Sequence, residues 1–190
     1  MARPRSDLAA PSASSRSVVL LRAVNVGGHG TVRTADLPGR LVGCTAVNIG
    51  AAGSFVVEGP REPSALRRAF LTALGFETDV IVRSRSEFAE LRTAAERLSR
   101  ALNVGEKHFV TFLAATPAAR LPFPHLVPNA ATWEVRLDAL VGRDVLSSWR
   151  RQGERRRYYA NEVVEKAFRV HATTRGWDTI ERIWAQLAAA

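Results

Sequence analysis

Thr45-Ala46-Val47-Asn48-Ile49-Gly50-Ala51-Ala52-Gly53-Ser54-Phe55-Val56-Val57-Glu58 decides how the rest of the chain is read. Two short runs, Thr45 to Ile49 and Ser54 to Glu58, flank a turn of small residues with two glycines, which is the pattern of a β-hairpin. Upstream, Val18-Val19-Leu20-Leu21-Arg22-Ala23-Val24 is a short apolar run followed by Gly27, Gly28 and Gly30, and it reads as a buried strand from Ser17 to Val26. Asp36 to Val42, between that strand and the hairpin, is expected as a short helix weakened by Pro38 and Gly39. Downstream, Pro63 and Ser64 open a helix in which Leu66, Ala69, Phe70, Ala73 and Leu74 recur at helical spacing, and Gly75 serves as its C-cap. Thr78 to Arg83 is the next strand. A hairpin set between two strand–helix units gives the order β-α-β-β-α-β, the split βαβ of a ferredoxin-like half.

The second half reads the same way. Ser84 with Glu87 forms a capping box for a linking helix whose apolar stripe is Phe88, Leu91, Ala95 and Leu98. His108 to Ala114 is a strand, and the Pro-rich stretch from Thr116 to Pro128 is expected to hold a short helix after Pro117. Thr132 to Leu137 and Val141 to Trp149 make a hairpin, Asn161 to Phe168 a helix and Val170 to Thr173 a strand. Trp177, Ile180, Ile183, Trp184 and Leu187 form one stripe of a terminal helix, so Trp177 is expected buried against a lobe. The predicted fold class is α+β: two ferredoxin-like halves with four-stranded antiparallel sheets, helices on one face of each, plus a C-terminal helix. The expected division is a disordered leader over 1–16, an N-terminal half over 17–83, a linking helix over 84–104 and a C-terminal half over 105–190.

Composition sets the outer limits. A chain of 190 residues with 46% hydrophobic and 24% charged residues buries a core without help from disulfides or metals, and collagen, coiled-coil and fully disordered classes are excluded. Apolar runs break after a few residues, far short of the roughly 20 that cross a bilayer. The single cysteine, Cys44, rules out an intrachain disulfide and a cysteine zinc cluster, and points to a reducing cytoplasm. The Ala/Ser/Pro-rich start does not support a secretory signal. The net charge is +9, with +2 in residues 1–17 and +4 in residues 149–157. The cations are 25 Arg and only Lys107 and Lys166, which beside 30 Ala matches the codon usage of a GC-rich genome as well as it matches anion recognition.

Three constellations carry chemistry. The loop Val26-Gly27-Gly28-His29-Gly30-Thr31 follows a strand, so its backbone N–H groups are placed to cradle an anion, or its glycines simply make a turn. It lacks the third glycine of a dinucleotide fingerprint and the Gly-Lys-Ser/Thr of a P-loop. Arg22 and Asn25 near the first strand, Arg83 at the end of the fourth and Arg175 after the last would form a cationic cluster if the strand ends converge. The alternative is local pairing, with Arg175 against Trp177. Arg150, Arg151, Arg155, Arg156 and Arg157, interleaved with Trp149, Tyr158 and Tyr159, form the most nucleic-acid-like segment, although no RNP-type aromatic motif accompanies it. His29, His108, His125 and His171 show no metal-ligand spacing, and no nucleophile motif is present, so neither a metal nor another cofactor is expected.

Three segments resemble a bacterial family of uncharacterised proteins, the domain of unknown function 1697. They are Leu20-Leu21-Arg22-Ala23-Val24-Asn25-Val26-Gly27-Gly28 with Ala35-Asp36-Leu37, the hairpin Asn48 to Val57, and Ala172-Thr173-Thr174-Arg175-Gly176-Trp177-Asp178-Thr179. The resemblance implies an α+β fold of ferredoxin-like halves and brings no established activity. Where the family usually has a Gln-Ser-Gly-Asn turn, this chain has Ala51-Ala52-Gly53-Ser54. Where a Lys/Arg-Asn pair follows the two glycines, it has His29-Gly30. The resulting expectation is a cytoplasmic protein that binds an anionic small molecule or nucleic acid. A transferase or hydrolase acting at the glycine loop, and an interaction module using its sheet face as a homo-oligomer surface, stand as alternatives.

Overall fold

A computed structural model describes residues 15–25, 31–99, 105–154 and 157–189. β1 (Ser15–Leu21) leads through two 3-10 turns, Thr34–Asp36 and Pro38–Arg40, to β2 (Thr45–Gly50) and β3 (Ser54–Gly59). α1 (Pro63–Leu74), β4 (Val80–Ser84) and α2 (Arg85–Ser99) follow. The second unit holds β5 (Lys107–Leu113), β6 (His125–Val127), β7 (Val135–Val141), β8 (Asp144–Trp149), α3 (Ala160–Phe168), β9 (Ala172–Gly176) and α4 (Trp177–Ala188). Both sheets are antiparallel, with orders β2-β3-β1-β4 and β6-β7-β8-β5-β9. In each unit the first strand lies beside both the second strand of the hairpin and the last strand.

The structure corrects that reading in three places. The helix expected over Asp36 to Val42 is the pair of 3-10 turns. Pro38 supplies no N–H and Gly39 has poor helix propensity, so no longer helix propagates there. The helix expected after Pro117 is absent among the described residues. Pro117, Pro122, Pro124 and Pro128 remove backbone donors from that stretch, and His125–Val127 instead adds a fifth strand at the edge of the second sheet. Helices also cover both faces of each sheet. Residues 1–14 of the expected leader lie outside the described residues, whereas Ser15 and Arg16 already belong to β1.

Coverage on both faces explains the apolar run in β1. Val18, Val19, Leu20 and Leu21 are all buried, because side chains alternate across a strand and neither face of this one meets water. Val18 and Leu20 join Ile81, Phe88, Leu91, Val110, Phe112, Ile180 and Ile183 in a central core, where α2 and α4 pack between the inner faces of the two sheets. Val19 and Leu21 turn outward to Phe55, Leu66 and Phe70 beneath α1. Leu113, Val135, Val145, Val164 and Phe168 make the corresponding outer core beneath α3. Phe88 stacks on Phe112 with ring centroids 6.1 Å apart, and Phe55 meets Phe70 edge-on at 5.1 Å. Each such ring buried in place of water contributes about 1.5–3 kcal/mol.

Local signals set the helix ends. Ser84 N–H donates to Glu87 Oε2 at 2.8 Å and Glu87 N–H donates to Ser84 Oγ at 3.2 Å, the reciprocal capping box at the start of α2. Burial alone would raise the Glu87 carboxyl, but bonds from Arg143 and Ser84 outweigh it and hold the group below its ordinary value. Gly75 ends α1 in the left-handed conformation, φ 75°. At the far end of the chain, Arg16 Nη1 donates to the Ala189 carbonyl at 2.6 Å, placing a cation at the C-terminus of α4. Ile180, Ile183 and Leu187 are buried as the stripe predicts, while Trp177 at the first turn of α4 and Trp184 are only half-buried.

Candidate functional site

β1 ends at Leu21, and the chain turns away through Arg22 to Asn25 with Ala23 and Asn25 in the left-handed region, φ 52° and 61°. Asparagine enters this region more readily than most residues. Asn25 Nδ2 donates to the Val32 carbonyl at 2.9 Å and its Oδ1 accepts the Val32 N–H at 2.8 Å. One side chain thus joins residues 25 and 32, on either side of a loop whose Gly27, Gly28 and His29 lie outside the described residues.

The hairpin supplies a second wall. The β2–β3 register slips between Asn48 and Gly50, and Asn48 Oδ1 accepts the Gly50 N–H at 2.9 Å. Asn48 Nδ2 donates to Thr34 Oγ1 at 3.3 Å, linking the hairpin to the first 3-10 turn. Gly53, φ 70°, closes the turn where a Cβ would come within 2.9 Å of Leu21 Cβ, so a side chain there meets both backbone strain and the β1 core. Between the walls lies a shallow groove of about 680 Å³, lined by Asn25, Arg33, Thr34, Asn48, Gly50 and Arg182 among others. Among the described residues no carboxylate lines it. The Arg33 side chain is 85% exposed with Asp36 at 4.0 Å, and Arg182 makes an exposed 3.3 Å bond to Thr179 Oγ1.

The hairpin turn is fastened from the other lobe by Arg175. Its Nη2 donates to the carbonyls of Leu21, Ala52 and Gly53 at 2.9, 2.6 and 3.2 Å. Its Nε donates to Ser54 Oγ at 2.7 Å, and its Nη1 to Thr173 Oγ1 and the Thr174 carbonyl at 2.7 and 2.9 Å. Burial pulls the Arg175 pKa down to about 10, so it remains a cation at neutral pH. Its six acceptors are all neutral oxygens. The three segments singled out in the sequence therefore meet here: the end of β1, the hairpin turn, and β9.

Arg22, Arg83 and Arg175 do converge on the junction between the lobes, each with acceptors of its own. Arg83, 1% exposed, grips Asp144 of β8 through Nε and Nη2 at 2.9 and 2.8 Å and reaches the Leu113 carbonyl at 2.7 Å. Arg22 Nε donates to Glu165 Oε1 at 2.9 Å and faces Asp79 Oδ2 at 3.8 Å, beside an open cleft that also exposes His171. In the basic segment, the Arg150 guanidinium lies 4.1 Å from the Trp133 ring centroid and donates to the Trp133 carbonyl. Arg151, exposed, donates to the Gly153 and Glu154 carbonyls. Arg157 binds Glu134, which is buried, through its backbone N–H and Nε. Arg155 and Arg156 lie outside the described residues.

The sequence reading missed Arg33 and Arg182. Arg182 stands on the polar side of the α4 stripe, and only the packing of α4 against β2 and β3 brings it to the hairpin. Among the described residues no three His, Cys, Asp or Glu side chains are placed to share a metal ion, and no helix is long and apolar enough to cross a membrane.

Comparison with known proteins matches residues 15–122 to the model of a family described as protein of unknown function, DUF1697. The chain belongs to the DUF1697 family. The matched range holds the groove's loop and hairpin walls; Arg175 and Arg182 lie beyond it. Among solved structures, this DUF1697 protein is similar to one described as the conserved bacterial protein SP0830 from Streptococcus pneumoniae, with a TM-score of 0.55 and 18% identity over 92% of this chain and 99% of that one. At that identity the likeness shows the fold alone. No curated protein matches the chain.

Proposed function

We propose that this DUF1697 protein binds a small anion, a phosphate- or carboxylate-bearing molecule, in the groove between the end of β1 and the hairpin. The observation that carries the reading is the groove's charge: Arg33 and Arg182 reach it from two different elements, and no acid lines it among the described residues. Asn25, Asn48 and Thr34 hydrogen-bond one another's segments and fix the walls, which leaves the guanidinium groups to meet a ligand with bidentate hydrogen bonds. A net charge of +9 steers anions toward the surface. The described lining offers hydroxyls, amides and guanidinium groups, donors that suit the binding of an anion. We read the two units as ferredoxin-like in strand order, and the lone Cys44 supports a reducing, cytoplasmic compartment.

The test is an NMR titration with pyrophosphate and with a nucleoside monophosphate. Saturable shifts at Asn48, Gly50 and Arg182 are expected, and Arg182→Gln should weaken binding about tenfold, as the loss of one charge-assisted hydrogen bond does. The absence of saturation, or affinity unchanged in Arg33→Gln/Arg182→Gln, would overturn the reading. A second reading, single-stranded nucleic acid at the basic segment, is favoured by one observation. A groove of about 530 Å³ beside that segment is lined by Arg157, Tyr158, Tyr159 and Lys166, the mix of cations and aromatic rings that stacks bases.

A further inference from the structure

In the second sheet a chain of polar groups runs from a carboxylate to a cavity that shares no lining residue with the groove. Ser148 on β8 is 1% exposed and opposes His108 on β5. Its Oγ lies 2.7 Å from Asp138 Oδ2 and 3.2 Å from His108 Nδ1, and it accepts a bond from Arg136 Nη2 at 3.2 Å. Arg136 in turn binds Asp138 and Glu106, both nearly buried.

The proton positions follow from the chemistry of the partners. A carboxylate beside Arg136 only accepts, so the single Ser148 proton goes to Asp138. The Ser148 oxygen then has to accept from His108, which fixes the proton of the neutral imidazole on Nδ1. His108 Nε2 is left as a lone pair, with no hydrogen-bond partner among the described residues. Burial lowers the His108 pKa, against the opposing pull of Glu106 and Asp138 and with a smaller contribution from Arg136, so the neutral ring is the form present at neutral pH. His108, Asp138 and Ser148 line a cavity of about 50 Å³ whose other walls include Ala95, Leu98, Leu146 and Trp177. Trp177, half-buried, forms one of these walls.

We propose that the cavity is a binding site for a small neutral alcohol, whose O–H donates to His108 Nε2 and whose short apolar body packs between Leu98 and Trp177. A half-buried acceptor beside mainly apolar walls selects for one donor on an apolar frame. An anion would face Asp138, and a cation would leave water for a largely apolar pocket. The volume matches about three to four waters, or a ligand with a similar number of heavy atoms.

The probe is 1-propanol, with methoxyethane, an ether of the same four heavy atoms, as the counterpart that lacks a donor. Four heavy atoms set a floor of roughly 40 μM on the dissociation constant, so the titration runs from there into the millimolar range. Long-range proton–nitrogen correlation on protein labelled at histidine nitrogen should show His108 protonated at Nδ1 and bare at Nε2. 1-Propanol should shift Nε2 saturably, and the ether should bind at least tenfold more weakly. Leu98→Trp, which fills the cavity while leaving His108 in place, should abolish the propanol shift and keep the tautomer. An Nε2–H tautomer in the unaltered protein, equal binding of alcohol and ether, or propanol binding undiminished in Leu98→Trp would each overturn the proposal.

Discussion

Arg175→Met removes the clamp that fastens the hairpin turn to the second lobe while keeping much of the aliphatic bulk. Its six acceptors do not lose equally. The Leu21 carbonyl retains Thr173 Oγ1 at 3.2 Å, and the Gly53 carbonyl retains the Leu21 N–H at 2.8 Å. Ser54 Oγ, fully buried, loses its partner, whereas the Ala52 carbonyl, on an exposed residue, turns to water. At about 1–3 kcal/mol for the buried acceptor left unsatisfied and about 1 kcal/mol for the Ala52 bond, the loss is about 2–4 kcal/mol. Relief of the guanidinium's own desolvation offsets part of this, giving a net cost of about 2 kcal/mol. For a chain of this length that lowers the melting temperature by roughly 4–8 °C. Thermal melts followed by circular dichroism, with urea unfolding for the free energy, read the effect directly. Arg175→Lys keeps the charge but reaches fewer acceptors, and should recover less than half of the loss. Below the variant's melting point the pyrophosphate shifts at Asn48 and Gly50 should also weaken, because the hairpin wall is no longer held. A variant within about 0.5 kcal/mol of the parent would refute the reasoning, since water would then be satisfying Ser54 as well as the guanidinium does.

Breaking the Arg83–Asp144 pair from either side should cost about 3–5 kcal/mol in urea unfolding, and Arg83→Met combined with Asp144→Leu should cost clearly less than the sum of the two single changes, because the charge left unpaired by each single change is gone. Glu134 gives a pH-dependent case. Burial alone would raise its carboxyl, but bonds from Arg157 outweigh this and lower it, so the stability it lends is present above the unfolded carboxylate value near 4.5 and is lost as pH falls through the folded value below that. Arg157→Gln should therefore cost about 2 kcal/mol at neutral pH, the exposure of the arginine limiting the figure, and the gap to the parent should close below about pH 4 in acid unfolding. If the basic segment binds nucleic acid, replacing Arg150 and Arg151 by Gln should flatten the log–log salt dependence on a single strand by roughly 0.7 for each phosphate no longer neutralised, about 1.4 for the pair, and an unchanged slope would make those arginines bystanders.

Most of the fold was legible because it rests on local patterns. The hairpin from Thr45 to Glu58, the Leu66–Phe70–Leu74 stripe, the Ser84–Glu87 box and the Gly75 cap are each written in residues within a few positions of one another, and each stands in the structure. The errors sit where a local signal was weak. Pro38-Gly39 and the four prolines after Ala115 left helix propensity too low to hold. The candidate groove was half legible: Asn25 and the hairpin could be named, whereas Arg182 required knowing that α4 crosses beside β2. The Ser148–His108 pairing depends on strand register across 40 residues, which no spacing along the chain encodes.

The arginine-rich composition had two readings from sequence, an outward surface for anions or a by-product of codon usage, and the structure adds a third. Where the ends of two sheets meet, backbone carbonyls such as those of Ala52 and Leu113 have no ladder partner, and each has to be satisfied from elsewhere. A guanidinium carries five donors in one plane on a long stem, and a lysine ammonium carries three about a single point. Arg175 serves six oxygens across two lobes, and Arg83 serves one carboxylate together with three carbonyls. Such work needs arginine whatever the genome's base composition. It follows that a net charge of +9 overstates the surface's capacity for anions: Arg22, Arg83 and Arg175 are committed to partners of the fold, and the capacity that remains near the junction rests on Arg33 and Arg182.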